Sequence, residues 1–251
     1  MRQHEAIHVL TETLRHDEAV RAIFLKGSFG RKEGDEHSDV DLYAMVPEDE
    51  LDAFLTRRRA HLAAYRPILL EDEIHIIAPQ LIVVYDNFLH VDLFTVTEAR
   101  LYTQDEIVTL YDPDELLRHH PRTLTLTDHD LFEHAFDAIW FFFQYTKARD
   151  RGNDVWAVDM LRQGMIHFAY VLAAHHDPSR AALGLKDAAV RDVIPLREWY
   201  EALTPSRHPI AAKRYIAWLE EEQVFFETMS GFNRLRLFYD QLIQREKSRP
   251  H

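Results

Sequence analysis

Apolar residues recur along this chain with two different periods, and the change of period divides it. Ile7, Leu10 and Leu14 sit three and four apart, which predicts an amphipathic helix. Residues 22–26 and 40–46 read as two buried strands. Pro47-Glu48-Asp49-Glu50 has the acidic first turn of a helix start, and the helix is expected to run to about residue 64. Short strands are expected over 68–70 and 74–78. Stronger ones are expected over 81–85 and 89–96, separated by the turn signal Asp86-Asn87. An edge segment at 107–111 is stopped by Asp112-Pro113-Asp114. Beyond a connector at 121–127 the pattern is helical almost throughout, opening on Thr127-Asp128, which has the form of a cap. Phe132, Phe136, Ile139, Trp140 and Phe143 are predicted on one face of the first of these helices, and Leu161, Met165, Phe168 and Leu172 on the second. Ile216, Leu219, Phe226 and the stretch 235–242 mark later ones. There is no internal repeat and no low-complexity tract. The expectation is an α/β half over residues 1–120 and a helical half over residues 121–251.

Composition narrows the functional classes. The chain has 251 residues, 47% of them hydrophobic and 28% charged, as in an ordinary globular protein with a sizeable core. It has no cysteine, which excludes disulfides, zinc–thiolate sites and thiol catalysis. The N-terminal Met1-Arg2-Gln3-His4-Glu5 shows no apolar signal region, and the stretch 155–176 contains Asp159, Arg162 and Gln163 and does not read as membrane-spanning. A cytoplasmic protein without a membrane partner is expected. The net charge of −13 gives no basic field for a nucleic-acid partner, though it is compatible with a cationic small substrate. Arg57-Arg58-Arg59, the nearest to a basic run, reads as a solvated helix face. His119-His120 and His175-His176 fall at helix ends, where imidazoles complement the dipole, and read as structural or surface positions. The aromatic run 140–143 reads as core or domain interface, with one edge able to line a substrate cleft.

Against this background one segment stands out. Gly27, Gly30 and Gly34 place three of the seven glycines of the chain within eight residues. The loop they form lies between the two predicted strands, and glycine lets backbone approach a phosphate closely. The amides around Gly27-Ser28 suit an anion nest, the Ser28 hydroxyl can donate to a phosphate oxygen, and Arg31 and Lys32 can neutralise phosphate charge. Asp39 and Asp41 follow at alternate positions of a strand, on one face and about 6.6 Å apart along the backbone. Two carboxylates so placed can share divalent cations, and Mg²⁺ suits all-oxygen ligands and nucleotide phosphates. Asp92, within Leu89-His90-Val91-Asp92-Leu93-Phe94, is a charge in an otherwise apolar strand, and a buried aspartate is costly unless paired or metal-bound. If its strand pairs with that of Asp39 and Asp41, the three converge, and Asp92 can bind metal, act as general base, or both. A Gly-Ser turn alone is usually only a turn, and Asp-x-Asp is often a solvated edge. The information lies in their order and spacing.

In that order the residues resemble the DNA polymerase β-type nucleotidyltransferase superfamily: Gly27-Ser28, Gly30, Gly34, then Ser38-Asp39-Val40-Asp41-Leu42. Adding Lys26-Gly27-Ser28-Phe29, Glu33-Gly34-Asp35, Val84-Tyr85-Asp86-Asn87 and Asp92, the chain is similar to two-domain lincosamide nucleotidyltransferases, with a front end shared by kanamycin-type aminoglycoside nucleotidyltransferases. The resemblance implies an α+β fold: a nucleotidyltransferase domain with a mixed sheet flanked by helices, then a helical bundle. It implies transfer of a nucleoside monophosphate, AMP from ATP with Mg²⁺, to a hydroxyl of a small molecule such as an antibiotic. Asp39, Asp41 and Asp92 carry over as metal ligands and catalytic residues, and Gly27, Ser28, Arg31, Lys32 and Ser38 as nucleotide-binding residues. The acceptor pocket it implies draws on the helical half and a partner subunit, so a homodimer is in keeping. Aminoglycoside relatives take their base from a helical-domain glutamate, whereas the matching region here reads Phe143-Gln144-Tyr145. Asp92 is therefore the expected base, with Glu133 and Asp137 in reserve. A regulatory or antitoxin-like protein of this fold acting on a protein partner is the alternative, and an RNA-extending polymerase a third. Arg162-x4-His167 also resembles the motif of helical HEPN ribonucleases, a spacing common by chance on a helix.

Overall fold

A computed structural model describes residues 1–101, 105–119, 123–191 and 194–249, the side chain of Arg191 excepted. The chain divides into two compact units, Met1–Thr123 and Leu124–His251. The expected division between residues 120 and 121, and with it His120 and the start of the connector, lies outside the described residues.

The first unit runs α1 (Arg2–Leu14), β1 (Ala22–Leu25), a single helical turn α2 (Gly27–Gly30), β2 (Val40–Met45), α3 (Leu51–Leu62), β3 (Ile68–His75), β4 (Pro79–Tyr85), β5 (His90–Val96) and β6 (Val108–Tyr111). The strands form one sheet in the order β3-β4-β5-β2-β1-β6. Among the described residues only β2 and β5 are parallel; the remaining neighbours are antiparallel, so the sheet is mixed. Alternation sorts its central side chains into two faces. Val40, Leu42, Ala44, Val91 and Leu93 pack in one cluster with Ala6, Leu10 and Leu14 of α1 and Phe54 and Leu62 of α3. Tyr43, Met45, Phe94 and Val96 belong to the opposite face, where Tyr43 is stacked between Phe24 and Phe94 at 4.9 and 4.4 Å. Asp41 and Asp92 share the alternation of this second face.

Two expectations change here. The strands expected over 68–70 and 74–78 are one strand, β3, which continues through Glu71-Asp72-Glu73. It is an edge strand, so both faces of this segment can meet water and the charges interrupt nothing; Leu69, Leu70, Ile76 and Ile77 are exposed. The arginine run on α3 is not a uniformly solvated face. Arg57 donates to both Asp17 oxygens at 2.7 Å, and Arg59 Nε to Glu71 at 2.6 Å. Arg58 is buried, with Nη2 2.6 Å from Glu73 Oε1.

The second unit is helical: α4 (Asp128–Asp150), α5 (Asp154–His176), α6 (Leu185–Arg191), α7 (Leu196–Glu201), α8 (His208–Glu221), α9 (Gln223–Thr228) and α10 (Asn233–Lys247). Thr127 caps α4 by accepting from the Asp130 amide at 3.1 Å, and Asn153 caps α5 from the Trp156 amide at 3.2 Å. Gly164 on α5 lets α8 approach, because a Cβ there would lie 2.9 Å from the Tyr215 hydroxyl. That hydroxyl donates to the Ala138 carbonyl at 3.0 Å, tying α8 to α4. The buried stripe of α5 is as predicted, with Leu161, Met165, Phe168 and Leu172 inside. On α4 it is Phe132, Ala135, Ala138, Ile139, Phe142 and Tyr145, while Phe136 and Trp140 are exposed. Small alanines supply the close-packed face, so the largest side chains did not mark it. The helices of this unit and the mixed sheet of the first give the α+β class.

Candidate active site

The site begins with the register of the two parallel strands. Val40 pairs with Val91 and Asp41 with Asp92, so the two carboxylates leave adjacent strands at the same level and on the same face. Asp39, just before β2, adds a third. Asp39, His90 and Asp92 bring ligand atoms within 4.8 Å of one another; Asp41 is not one of that group, although it feels the charges of both aspartates. Asp92 is 6% exposed, Asp41 partly buried and Asp39 exposed. Burial, then the charges of Asp39, Asp92 and Asp105, push the Asp41 carboxyl up to about 6.

His90 belongs to the same cluster and is not among the residues the sequence reading selected. It lies two positions before Asp92 on β5, hence on the same face. Its Nε2 is 3.0 Å from Asp92 Oδ1 and its Nδ1 3.9 Å from Asp39 Oδ2. The hydrogen bond to Asp92 is the main cause that raises the His90 pKa. The alternation that singled out Asp92 contained this signal as His-x-Asp.

The glycine loop meets the carboxylates directly. Gly27 has φ +61°, and a Cβ on it would fall 1.8 Å from Asp41 Oδ2. A side chain here would be strained by the backbone and would displace the Asp41 carboxylate. Beside it the Ser28 hydroxyl oxygen is buried with no hydrogen-bond partner. The Gly27 amide is not free: it donates to Asp105 Oδ2 at 3.2 Å, and Arg31 Nη1 donates to the same oxygen at 2.8 Å. Arg31 Nε also donates to Glu33 at 3.0 Å. Asp105, itself at φ +82°, thus places a carboxylate on the groups expected to take phosphate. Lys32 is exposed at φ +62°. Ser38 closes the turn before β2: its hydroxyl donates to Asp35 Oδ1 at 2.8 Å and accepts from the Asp35 amide at 3.1 Å. Lys26, at the end of β1, is buried with its ammonium 5.2 Å from the Tyr43 ring centre, and burial lowers it to about 8.

The reserve carboxylates lie in the second unit. Asp137 Oδ2 is 3.5 Å from His167 Nδ1, and Glu133 lines a cleft with Phe132, Phe136, Arg234 and Leu235. Arg162 is paired with Asp159 at 2.9 Å, whereas His167 faces His134, ring nitrogen to ring nitrogen at 3.1 Å. The ribonuclease-like pair is therefore engaged by separate partners.

No family model matches the chain, and no curated protein matches it. Among solved structures it is similar to an aminoglycoside 6-adenyltransferase from Bacillus subtilis, at 12% identity and a TM-score of 0.35 over 96% of this chain and 97% of that one. It is also similar to a nucleotidyltransferase-like protein from Exiguobacterium sibiricum, at 14% identity and a TM-score of 0.40 over 88% of this chain and 75% of that one. Overlaps of this size leave the chemistry to be read from the residues of the site itself.

Proposed function

We propose that this protein is a nucleotidyltransferase whose first unit is catalytic and which moves AMP from ATP to a hydroxyl of a small molecule. The observation that carries the reading is the parallel register that sets Asp41 beside Asp92, with Gly27 so close to Asp41 that any side chain there would push the carboxylate aside. A glycine loop pressed against clustered carboxylates is the arrangement needed to bring a triphosphate to a divalent cation. The residues fit such a cation: Asp39 and Asp92 bring carboxylate oxygens within 4.8 Å of each other, Asp41 adds a third hard oxygen donor on the same face, and the buried Ser28 hydroxyl has a hydrogen bond left to make. Asp39, Asp41 and Asp92 would hold Mg²⁺, which when bound supplies positive charge against the phosphates and the leaving oxygen.

The residues of the chain do the rest. Ser28 donates to a phosphate oxygen. Arg31 and the Gly27 amide do so once Asp105 gives way, and Lys32 adds charge from the surface. Ser38 acts through the turn it closes, which aims Asp39. Asp92 is also the base that takes the acceptor proton, oriented by the contact of its Oδ1 with His90 Nε2 at 3.0 Å. The acceptor oxygen bonds to the α-phosphorus as the bond to pyrophosphate breaks, and pyrophosphate leaves. Lincosamide and aminoglycoside antibiotics are the acceptors to try first, with resistance as the cellular consequence. A cytoplasmic homodimer is the proposed setting.

The test is calorimetry with ATP, with and without Mg²⁺, followed by mass spectrometry of antibiotics incubated with the protein and MgATP. Mg²⁺-dependent ATP binding and an acceptor heavier by one AMP are expected, both lost in Asp41→Asn. Absence of Mg²⁺-dependent nucleotide binding would overturn the catalytic reading.

A further inference from the structure

A second group of metal-ligating side chains lies in the helical unit. His175 and His176 are the last two residues of α5, and Glu222 directly follows the last residue of α8. Glu222 is 6% exposed. Its carboxylate addresses one imidazole with each oxygen: Oε2 is 2.7 Å from His175 Nδ1, and Oε1 is 3.6 Å from His176 Nε2. One ligand atom from each of the three residues lies within 4.8 Å of the other two.

Among the described residues, the side chains of this corner offer a carboxylate that no Lys or Arg neutralises; the ion-pair partners of Glu222 are the two imidazoles. Two helices end there, α5 at His176 and α8 at Glu221, and the carbonyl end of each carries about half a negative charge. Glu222 is also the N-cap of α9, whose N-terminal end is positive, so the buried carboxylate lies among two helix C-termini and one N-terminus, with the two imidazoles as its side-chain partners. The His175 ring is also held in place. Phe225 stacks on His175 at 4.4 Å and 12°, fixing the edge that faces Glu222. The His175 and His176 side chains are 43% and 45% exposed, which leaves an entry from water.

We propose that His175, His176 and Glu222 form a binding site for a borderline divalent transition-metal cation, with zinc as the fitting ion. Two imidazole nitrogens and one carboxylate suit zinc, whereas Mg²⁺ and Ca²⁺ select oxygen. Zinc bonds of about 2.0–2.2 Å in a tetrahedron put neighbouring ligand atoms about 3.3 Å apart. The distances of 2.7 and 3.6 Å, one to each Glu222 oxygen, bracket that value, so a small rotation of the exposed His176 ring completes the set. The fourth position opens to solvent and takes water. The site shares no residue with the carboxylate cluster of the first unit, and the proposal stands or falls apart from nucleotidyl transfer.

Zinc titrated into the chelator-stripped full chain tests it, read by calorimetry and by Tm. Wild type is expected to bind a zinc equivalent that is weakened at least tenfold in His176→Ala and in Glu222→Gln and retained in His90→Ala. Zinc should raise the Tm of wild type and of His90→Ala, and that of His176→Ala less. His176 is exposed, so His176→Ala keeps its metal-free Tm and decides the matter even if Glu222→Gln fails to fold. Unchanged zinc affinity in His176→Ala, or no zinc binding by wild type, overturns the proposal.

Discussion

Burial and three neighbouring carboxylates raise Asp41 to about 6, so near neutral pH the fold holds an ionised group where it would rather hold a neutral one. Set against an ordinary aspartate, that is on the order of 3 kcal/mol, less whatever solvent reaching the site screens. Asp41→Asn removes the charge at almost constant shape. In chelator at pH 8 the variant should melt several degrees above wild type while transferring no nucleotide, and Mg²⁺ should raise the wild-type Tm but not that of the variant. Differential scanning in both conditions checks this; a variant melting below wild type in chelator would mean that Asp41 supports the fold. Asp105 gives a second prediction. Its carboxylate takes the Gly27 amide and Arg31, so a triphosphate must displace it. Asp105→Asn should lower the Kd for MgATP several-fold by calorimetry, whereas an unchanged value would take Gly27 and Arg31 out of phosphate binding. The two residues also differ in how far they could be read beforehand. Asp39, Asp41 and Asp92 were legible because strand alternation and motif order both marked them, and the same alternation offered His90. Asp105 was not, since it reaches Gly27 across 78 residues and no local pattern announces that contact.

Between elements, the first unit relies on charge as well as apolar packing. Asp17, in the turn after α1, accepts two hydrogen bonds from Arg57 at 2.7 Å and lies 2.8 Å from His61, both on α3. Arg57 is the main cause that holds the Asp17 carboxyl well below the usual range, against the opposing effect of burial. The folded protein therefore keeps Asp17 ionised at pH values where the unfolded chain takes up a proton. The stabilisation is full above about pH 4, the unfolded value, and drains away as pH falls further. Asp17→Asn should cost roughly 1–3 kcal/mol at pH 7, with the gap to wild type closing as pH drops below about 4. Urea melts across that range measure it; a gap that stays constant would show that Asp17 acts through shape alone. This tie was invisible as spacing, because residues 17 and 57 belong to no common periodic pattern. Helices and central strands were legible, being long or, apart from Asp41, His90 and Asp92, largely apolar. Strand β3 and the packed face of α4 were not. An edge strand tolerates charge where a central one does not, and alanines can make a helix face that larger side chains do not mark.

At the scale of the whole molecule the net charge is −13, and several cations lie against carboxylates rather than forming a basic surface. Arg57, Arg58 and Arg59 face Asp17, Glu73 and Glu71; Arg31 faces Asp105; Arg149 faces Glu246. A protein that tracks nucleic acid needs the opposite, free Lys and Arg whose phosphate contacts release counterions and strengthen steeply as salt falls. A labelled single-stranded RNA should therefore show no anisotropy change with this protein at physiological salt, and none at low salt. Binding that appears as salt is lowered would favour an RNA-extending enzyme over transfer to a small molecule. The same field should work in favour of a cationic acceptor. Long-range attraction speeds association and is screened by salt, so a polycationic aminoglycoside should lose on-rate as ionic strength rises, while an uncharged hydroxylated acceptor should not. Stopped-flow measurement of both across a salt series separates the two dependences. Equal salt slopes would mean that the acidic surface keeps the protein soluble and takes no part in choosing what it modifies.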